Sequence, residues 1–206
     1  MAEAAKDCLN VADPSVQNTR DSVISSRPSA SGKTVPGTLV QIFDRGVLLT
    51  GLSGIGKSET ALGLIDRGHA LVADDAVDVY LDEGLPFGSC PPLLRGMLAI
   101  RDLGALDIQR LWGAKRVAES ARIDIAIELL AYEPGPAKAG DIARPTARYE
   151  LLDLSIPCVK LTAGPGRNLA LLVETAVRDL HARQQGYHAD RVLNDRQQRQ
   201  LSGEAS

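Results

Sequence analysis

Aromatic residues are scarce: one Trp, two Phe and four Tyr among 206 residues. That leaves little for a stacking platform under nucleic-acid bases or for the aromatic belts of membrane proteins. Positive charge is not in excess either. Lys and Arg total 23 against 26 Asp and Glu, a formal net charge of −3 and the wrong sign for a phosphate-backbone binder. The three cysteines, Cys8, Cys90 and Cys158, lie far apart with no C-x-x-C and no histidine at zinc-ligand spacing. This excludes a disulfide scaffold and a zinc module, and it suits a reducing cytoplasm. No apolar run is long enough to cross a bilayer, and the stretch Met1–Cys8 lacks the apolar segment of a secretion signal. The expectation is a cytoplasmic protein with neither nucleic acid nor membrane as a partner.

What is present is an ordinary globular composition, 44% hydrophobic and 24% charged. Residues 1–35 are rich in Ser, Asp, Asn and Arg and bury too little to offset ordering entropy, so a disordered or loosely ordered leader is expected there. Residues 36–182 approach the usual size of one domain, and 183–206 form a polar tail with room for a short helix from about Asp190 to Leu201. Within the domain, strands are expected at Thr38–Phe43, Gly46–Thr50, Ala70–Ala73, around Val77 to Leu81, at Arg95–Ile100 and at Ile123–Leu130. Two short strands are expected around Pro157 between Tyr149 and Leu161. Helices are expected over Lys57–Asp66, Asp107–Trp112 and Asn168–His181, and a loop over Pro134–Pro145. The alternation of buried-type strands with helices predicts an α/β fold.

Chemistry concentrates in Gly51-Leu-Ser-Gly-Ile-Gly-Lys-Ser58, which fits G-x-x-x-x-G-K-[ST] between an apolar strand and a helix. The residues Gly51, Leu52, Ser53, Gly54, Ile55 and Gly56 let the backbone wrap a polyphosphate with its N–H groups. Lys57 reaches the terminal phosphates, and the Ser58 hydroxyl can ligate Mg²⁺. Asp74 and Asp75 close the next strand, where phosphotransferases place carboxylates for the metal and for activating a hydroxyl. Adjacent strand-end residues point to opposite faces, so the two should not share one task. Arg101, and Arg167 in Gly164-Pro-Gly-Arg-Asn168, are candidates for charge over the transferred group. His69 is expected to finish a turn, Trp112 and the later cysteines to pack in the core, and Asp78 and Asp82 to be solvated. Residue chemistry thus leads to a Mg-nucleotide phosphotransferase or NTPase.

Gly46–Leu62 and Arg67-Gly-His-Ala-Leu-Val-Ala-Asp-Asp-Ala-Val77 closely resemble the bacterial HPr kinase/phosphorylase family. The likeness continues in Cys90-Pro-Pro-Leu-Leu94, Ile100-Arg-Asp-Leu-Gly104, Leu111-Trp-Gly113 and Pro165-Gly-Arg-Asn-Leu-Ala170. It covers most of 36–182, and the expectation is a short form in which the 1–35 leader stands in place of the N-terminal domain of longer members. The resemblance implies a P-loop fold of the HPr kinase and phosphoenolpyruvate carboxykinase type, a mixed sheet with flanking helices, and usually a hexamer. It implies phosphorylation of a serine of the phosphocarrier HPr by ATP and Mg²⁺, or by pyrophosphate in some members, within phosphotransferase-system regulation. In reverse, inorganic phosphate attacks the phosphoserine and releases pyrophosphate.

By position Asp75 matches the family's base and acid, Lys57 its phosphate lysine, Ser58 a metal ligand and Asp74 a supporting carboxylate. Arg101 and Arg167 fall on family positions, and Arg144 does so with a small deletion in the loop. The sequence departs from the family at Ala99 (a metal-site glutamate), Asp102 (glycine), Pro36 (an active-site histidine) and Gly164 (often arginine). These departures keep two other readings open: another peptide or small hydroxyl acceptor, and a nucleotide-sensing regulator without catalysis.

Overall fold

In the computed structural model, which describes residues 32–133 and 147–201, the chain forms β1 (Lys33–Pro36), β2 (Thr38–Ile42), β3 (Arg45–Gly51), α1 (Lys57–Asp66), β4 (Ala70–Ala73), β5 (Ala76–Asp82), β6 (Leu85–Ser89), β7 (Met97–Ile100), β8 (Gly104–Asp107), α2 (Ile108–Trp112), β9 (Ser120–Ala131), β10 (Ala147–Leu151), β11 (Leu154–Ala163), α3 (Leu169–Gln184) and α4 (Ala189–Leu201). The long strand β9 is the trunk of a curled mixed sheet. It runs parallel to β3 and β11 and, at its start, antiparallel to β6. Beyond β3 lie β2 and β4, and beyond β6 lie β5 and β1.

Burial on both faces explains why the central strands are almost continuously apolar rather than alternating. Val40, Val47, Leu49, Ile125 and Ile127 pack on one face against Ala61, Leu64 and Ile65 of α1 and Val173 and Val177 of α3. Leu39, Leu48, Ile123 and Ala126 turn the other way, onto Val72, Val77 and Ile156. Truncating a fully buried residue such as Leu49 to Ala costs about 2–5 kcal/mol. No helix among the described residues is long and apolar enough to cross a membrane.

The mixed α/β fold with flanking helices is as expected, with several local corrections. Lys33–Pro36 pairs antiparallel with β5, so the sheet begins three residues ahead of position 36. The hairpin of the later strands turns at Leu152 and Asp153, both left-handed (φ 49° and 62°), and not around Pro157. Pro157 lies inside β11, and parallel pairing with β9 begins one residue later, at Cys158, where an N–H is again available. Strands β6 and β8, which interrupt no strong apolar pattern, were not foreseen. Helix α4 exists but buries none of its residues.

His69 finishes the turn after α1, its N–H on the Leu64 carbonyl at 3.1 Å, and its ring is buried against Phe43, edge to face. Trp112 is half-buried, its indole N–H reaching Asp66 Oδ1 at 3.4 Å. Asp78 is half-buried and accepts a hydrogen bond from Thr34 (2.7 Å).

Candidate functional site

The parallel strands β3, β9 and β11 end at one edge of the sheet, in the register Gly51↔Leu129 and Ala131↔Ala163. Ligands of open α/β sheets gather at such carboxyl ends. From the end of β3 the chain turns through Gly51–Gly56 into α1. Gly54 and Gly56 take φ of 76° and 101°, conformations that side-chain-bearing residues rarely adopt. No side chain caps the N-terminus of α1, which leaves its first N–H groups and the positive end of the helix facing the loop. Leu52, Ser53 and Gly54 are exposed, while Ile55 leans on the core and its N–H bonds the Leu52 carbonyl at 3.2 Å. The Lys57 ammonium folds back over the loop, donating to the carbonyls of Gly51 and Leu52 at 3.3 and 3.1 Å.

Across from the loop, Asp74 and Asp75 leave β4 in different environments. Asp74 is buried, at 8% exposure. Its Oδ1 accepts from Thr38 Oγ1 at 2.7 Å and its Oδ2 from the Ala99 backbone N–H at 3.2 Å. The Ser58 hydroxyl lies 3.1 Å from both oxygens and donates into the carboxylate. Asp75 is exposed and left-handed, with φ 61°, and the Ala76 N–H reaches back around it to the Asp74 carbonyl at 2.7 Å. This tight turn of the γ type carries local strain and projects the Asp75 carboxylate away from that of its neighbour. The Gly37 N–H holds the Asp75 carbonyl at 3.2 Å.

Arg101, in the turn after β7, brings its guanidinium to the loop: a Cβ on Gly54 would stand 2.8 Å from its Nη2. Arg167 is exposed in the turn between β11 and α3, on the same sheet edge, with its backbone N–H on the Gly164 carbonyl (3.2 Å). A Cβ on Gly164 would meet the Tyr132 ring at 3.0 Å, so a longer side chain there requires that ring to move. Arg144 lies outside the described residues. Ala99 presents an exposed methyl group beside Asp74's amide donor, and Asp102 is exposed in the turn beyond β7.

The structure therefore gathers the loop, Lys57, Ser58, Asp74 and Arg101, with Asp75 at the rim. Sequence reasoning missed the partners of Asp74, namely Thr38 and the Ala99 amide. The one available signal was that a buried carboxylate must find donors. Among the described residues no three His, Cys, Asp or Glu side chains are grouped to hold a metal by themselves.

Comparison with known proteins agrees with this geometry. The family model described as HPr Serine kinase C-terminal domain matches residues 28–197. HPr kinase/phosphorylase of Caldicellulosiruptor bescii is 41% identical over 167 residues, 81% of this chain and 53% of the relative. That of Lactiplantibacillus plantarum is 39% identical over 167 residues, again 81% and 53%. The chain thus spans about half the length of the curated relatives it matches. The solved structure of the HPr(Ser) kinase/phosphatase from Coxiella burnetii superposes with a TM-score of 0.70 at 34% identity, covering 78% of this chain and 98% of that one. With its loop, its paired aspartates and its mixed sheet all in the matched span, the chain belongs to the HPr serine kinase C-terminal domain family.

Proposed function

We propose that this protein binds ATP with Mg²⁺ at Gly51–Ser58 and transfers the γ-phosphoryl group to a serine of HPr or an HPr-like phosphocarrier, and that it runs the reverse phosphorolysis. The observation that carries the reading is the division of labour between neighbouring carboxylates: Asp74 is buried on Ser58, and Asp75 is exposed at the rim. The names of the relatives support the acceptor and the reaction.

The phosphates replace the loop carbonyls as partners of the Lys57 ammonium. Backbone N–H groups of the loop and the free N-terminus of α1 receive the phosphate oxygens. The Ser58 hydroxyl and the Asp74 carboxylate are hard oxygen donors of the kind Mg²⁺ takes, so the residues present fit that ion, Ser58 directly and Asp74 behind it. Mg²⁺, when bound there, would supply neutralisation of the phosphate charge. Arg101 adds positive charge over the loop, and Arg167 is a second candidate on the same edge.

Asp75 accepts the proton of the serine hydroxyl as its oxygen attacks the γ-phosphorus and ADP leaves. In phosphorolysis, inorganic phosphate attacks the phosphoserine phosphorus, Asp75 returns the proton to the departing serine oxygen, and pyrophosphate forms. One group serves both directions because microscopic reversibility demands it. A cytoplasmic hexamer acting in phosphotransferase-system regulation completes the proposal, by likeness to the family. Incubation with labelled ATP, Mg²⁺ and HPr tests it: phosphoserine on HPr supports the reading, and its absence contradicts it.

A further inference from the structure

We propose that Thr38 is a positioning residue: its hydroxyl fixes the Asp74 carboxylate and so sets the direction in which Ser58 presents its oxygen to a Mg²⁺–nucleotide. This rests on the nucleotide-binding reading above and extends it to a residue outside the P-loop.

The Thr38 side chain is fully buried at the start of β2, between the β3 and β4 neighbours of that strand. A β-branched side chain suits this place, but valine would fill it without a hydroxyl to satisfy. Thr38 instead donates to Asp74 Oδ1 at 2.7 Å, the shortest of the bonds to that carboxylate. On the other oxygen, the Ala99 amide of β7 donates at 3.2 Å. Two donors fixed by strands thus hold the carboxylate, one on each oxygen. The third donor, Ser58, sits at the first turn of α1, 3.1 Å from both oxygens.

With its proton committed to Asp74, Ser58 keeps its lone pairs for a cation. The next backbone group along, the Gly37 N–H, holds the Asp75 carbonyl, so Gly37 and Thr38 together fix the tight turn that separates the two aspartates.

The experiment is calorimetric binding of ATP with and without Mg²⁺ to the full chain. The variants are Thr38→Val, which keeps the shape and loses the donor, and Thr38→Ser, which keeps the donor. A hydrogen bond to a charged group sets the scale: Thr38→Val should lose roughly tenfold of the Mg²⁺-dependent gain in ATP affinity. Its Mg²⁺-free affinity should stay within about twofold, and Thr38→Ser should recover most of the gain. In the Asp74→Asn background the Thr38→Val effect should vanish, whereas a merely structural role would persist there and weaken both affinities alike. Thr38→Ala, which needs no extra space, carries the same comparison if Thr38→Val does not fold. An Mg²⁺ gain in Thr38→Val equal to wild type overturns this inference alone. Absence of any gain in the wild type overturns the nucleotide reading itself.

Discussion

Ser58 and Asp74 meet across the mouth of the P-loop, the hydroxyl 3.1 Å from each carboxylate oxygen, while Asp75, the next residue, turns out to the exposed rim. Neighbours in sequence thereby acquire separate chemistry. A buried, triply bonded carboxylate suits orientation, and an exposed one can exchange a proton with an incoming hydroxyl.

Asp75→Asn should separate fold from reaction. Asparagine tolerates the left-handed φ of 61° about as well as aspartate, so the melting temperature should stay within a degree or two of wild type. Removal of the base should lower phosphoryl transfer by about 10²–10⁴-fold. Parallel thermal melts and transfer assays check both halves, and retained transfer would remove Asp75 from the mechanism.

Gly54→Ala and Arg101→Ala should fail for related reasons. The alanine Cβ would stand 2.8 Å from Arg101 Nη2 on a backbone with φ 76°, so the loop or the guanidinium must shift. Losing the exposed Arg101 should leave stability within about 0.5 kcal/mol but cut the transfer rate roughly 10²-fold. Gly54→Ala should lose rate and also destabilise by about 1 kcal/mol. Denaturant unfolding beside steady-state kinetics distinguishes the two, and an Arg101→Ala enzyme of undiminished rate would contradict its role.

Ala99→Glu should strengthen metal dependence at little structural cost. The methyl group is exposed, and the amide that holds Asp74 belongs to the backbone and survives the change. Stability should move by no more than about 0.5 kcal/mol. The Mg²⁺ concentration for half-maximal ATP binding should fall, as expected of an added carboxylate beside a divalent ion. A rise would place residue 99 outside the metal's reach.

Stability should weaken as pH falls through the histidine range, with His69 responsible. Burial pushes the His69 pKa below its ordinary 6.5, partly opposed by Glu174, whose Oε2 lies 4.0 Å away, and reinforced by Arg67, Arg116 and Arg178. The unfolded chain therefore takes up this proton first. The contribution is complete above pH 6.5 and is lost as pH falls from there toward the lowered folded value. Glu174 is itself held below the usual carboxylate range, first by its bond from Arg67, and stays ionised across that window. Urea unfolding from pH 8 to 5 should show the decline in wild type and a flatter profile in His69→Gln. Identical slopes would exclude His69 as the source.

Much of the molecule was legible in its sequence because local rules and tertiary packing agree there. Lys57–Asp66 and Ala70–Ala73 occupy the spans expected from the glycine-rich turn before the helix, the Gly68 terminator and the apolar tetrad. That Asp74 and Asp75 would separate was legible, but its cause was not: both lie beyond the end of β4, and the tight left-handed turn at Asp75 (φ 61°), not strand alternation, parts them. Illegible were features decided by distant partners. Lys33–Pro36 is a strand because β5 offers it an edge, although its own composition is that of a leader. Thr38 is 36 residues from Asp74 and carries no motif, so only the fold reveals what its hydroxyl is for. His69 ends its turn as expected, but its burial depends on Phe43 and on Glu174 of α3, both distant in sequence.

The central claim is tested most directly by transfer of labelled γ-phosphate from ATP to HPr in the presence of Mg²⁺, with wild type, Asp75→Asn and Ala99→Glu side by side. The account predicts phosphoserine on HPr with the wild-type chain, labelling slower by about 10²–10⁴-fold with Asp75→Asn, and at least wild-type labelling with Ala99→Glu. Labelling by Ala99→Glu alone would contradict it, showing a chain that keeps the phosphate cradle but lacks the reaction.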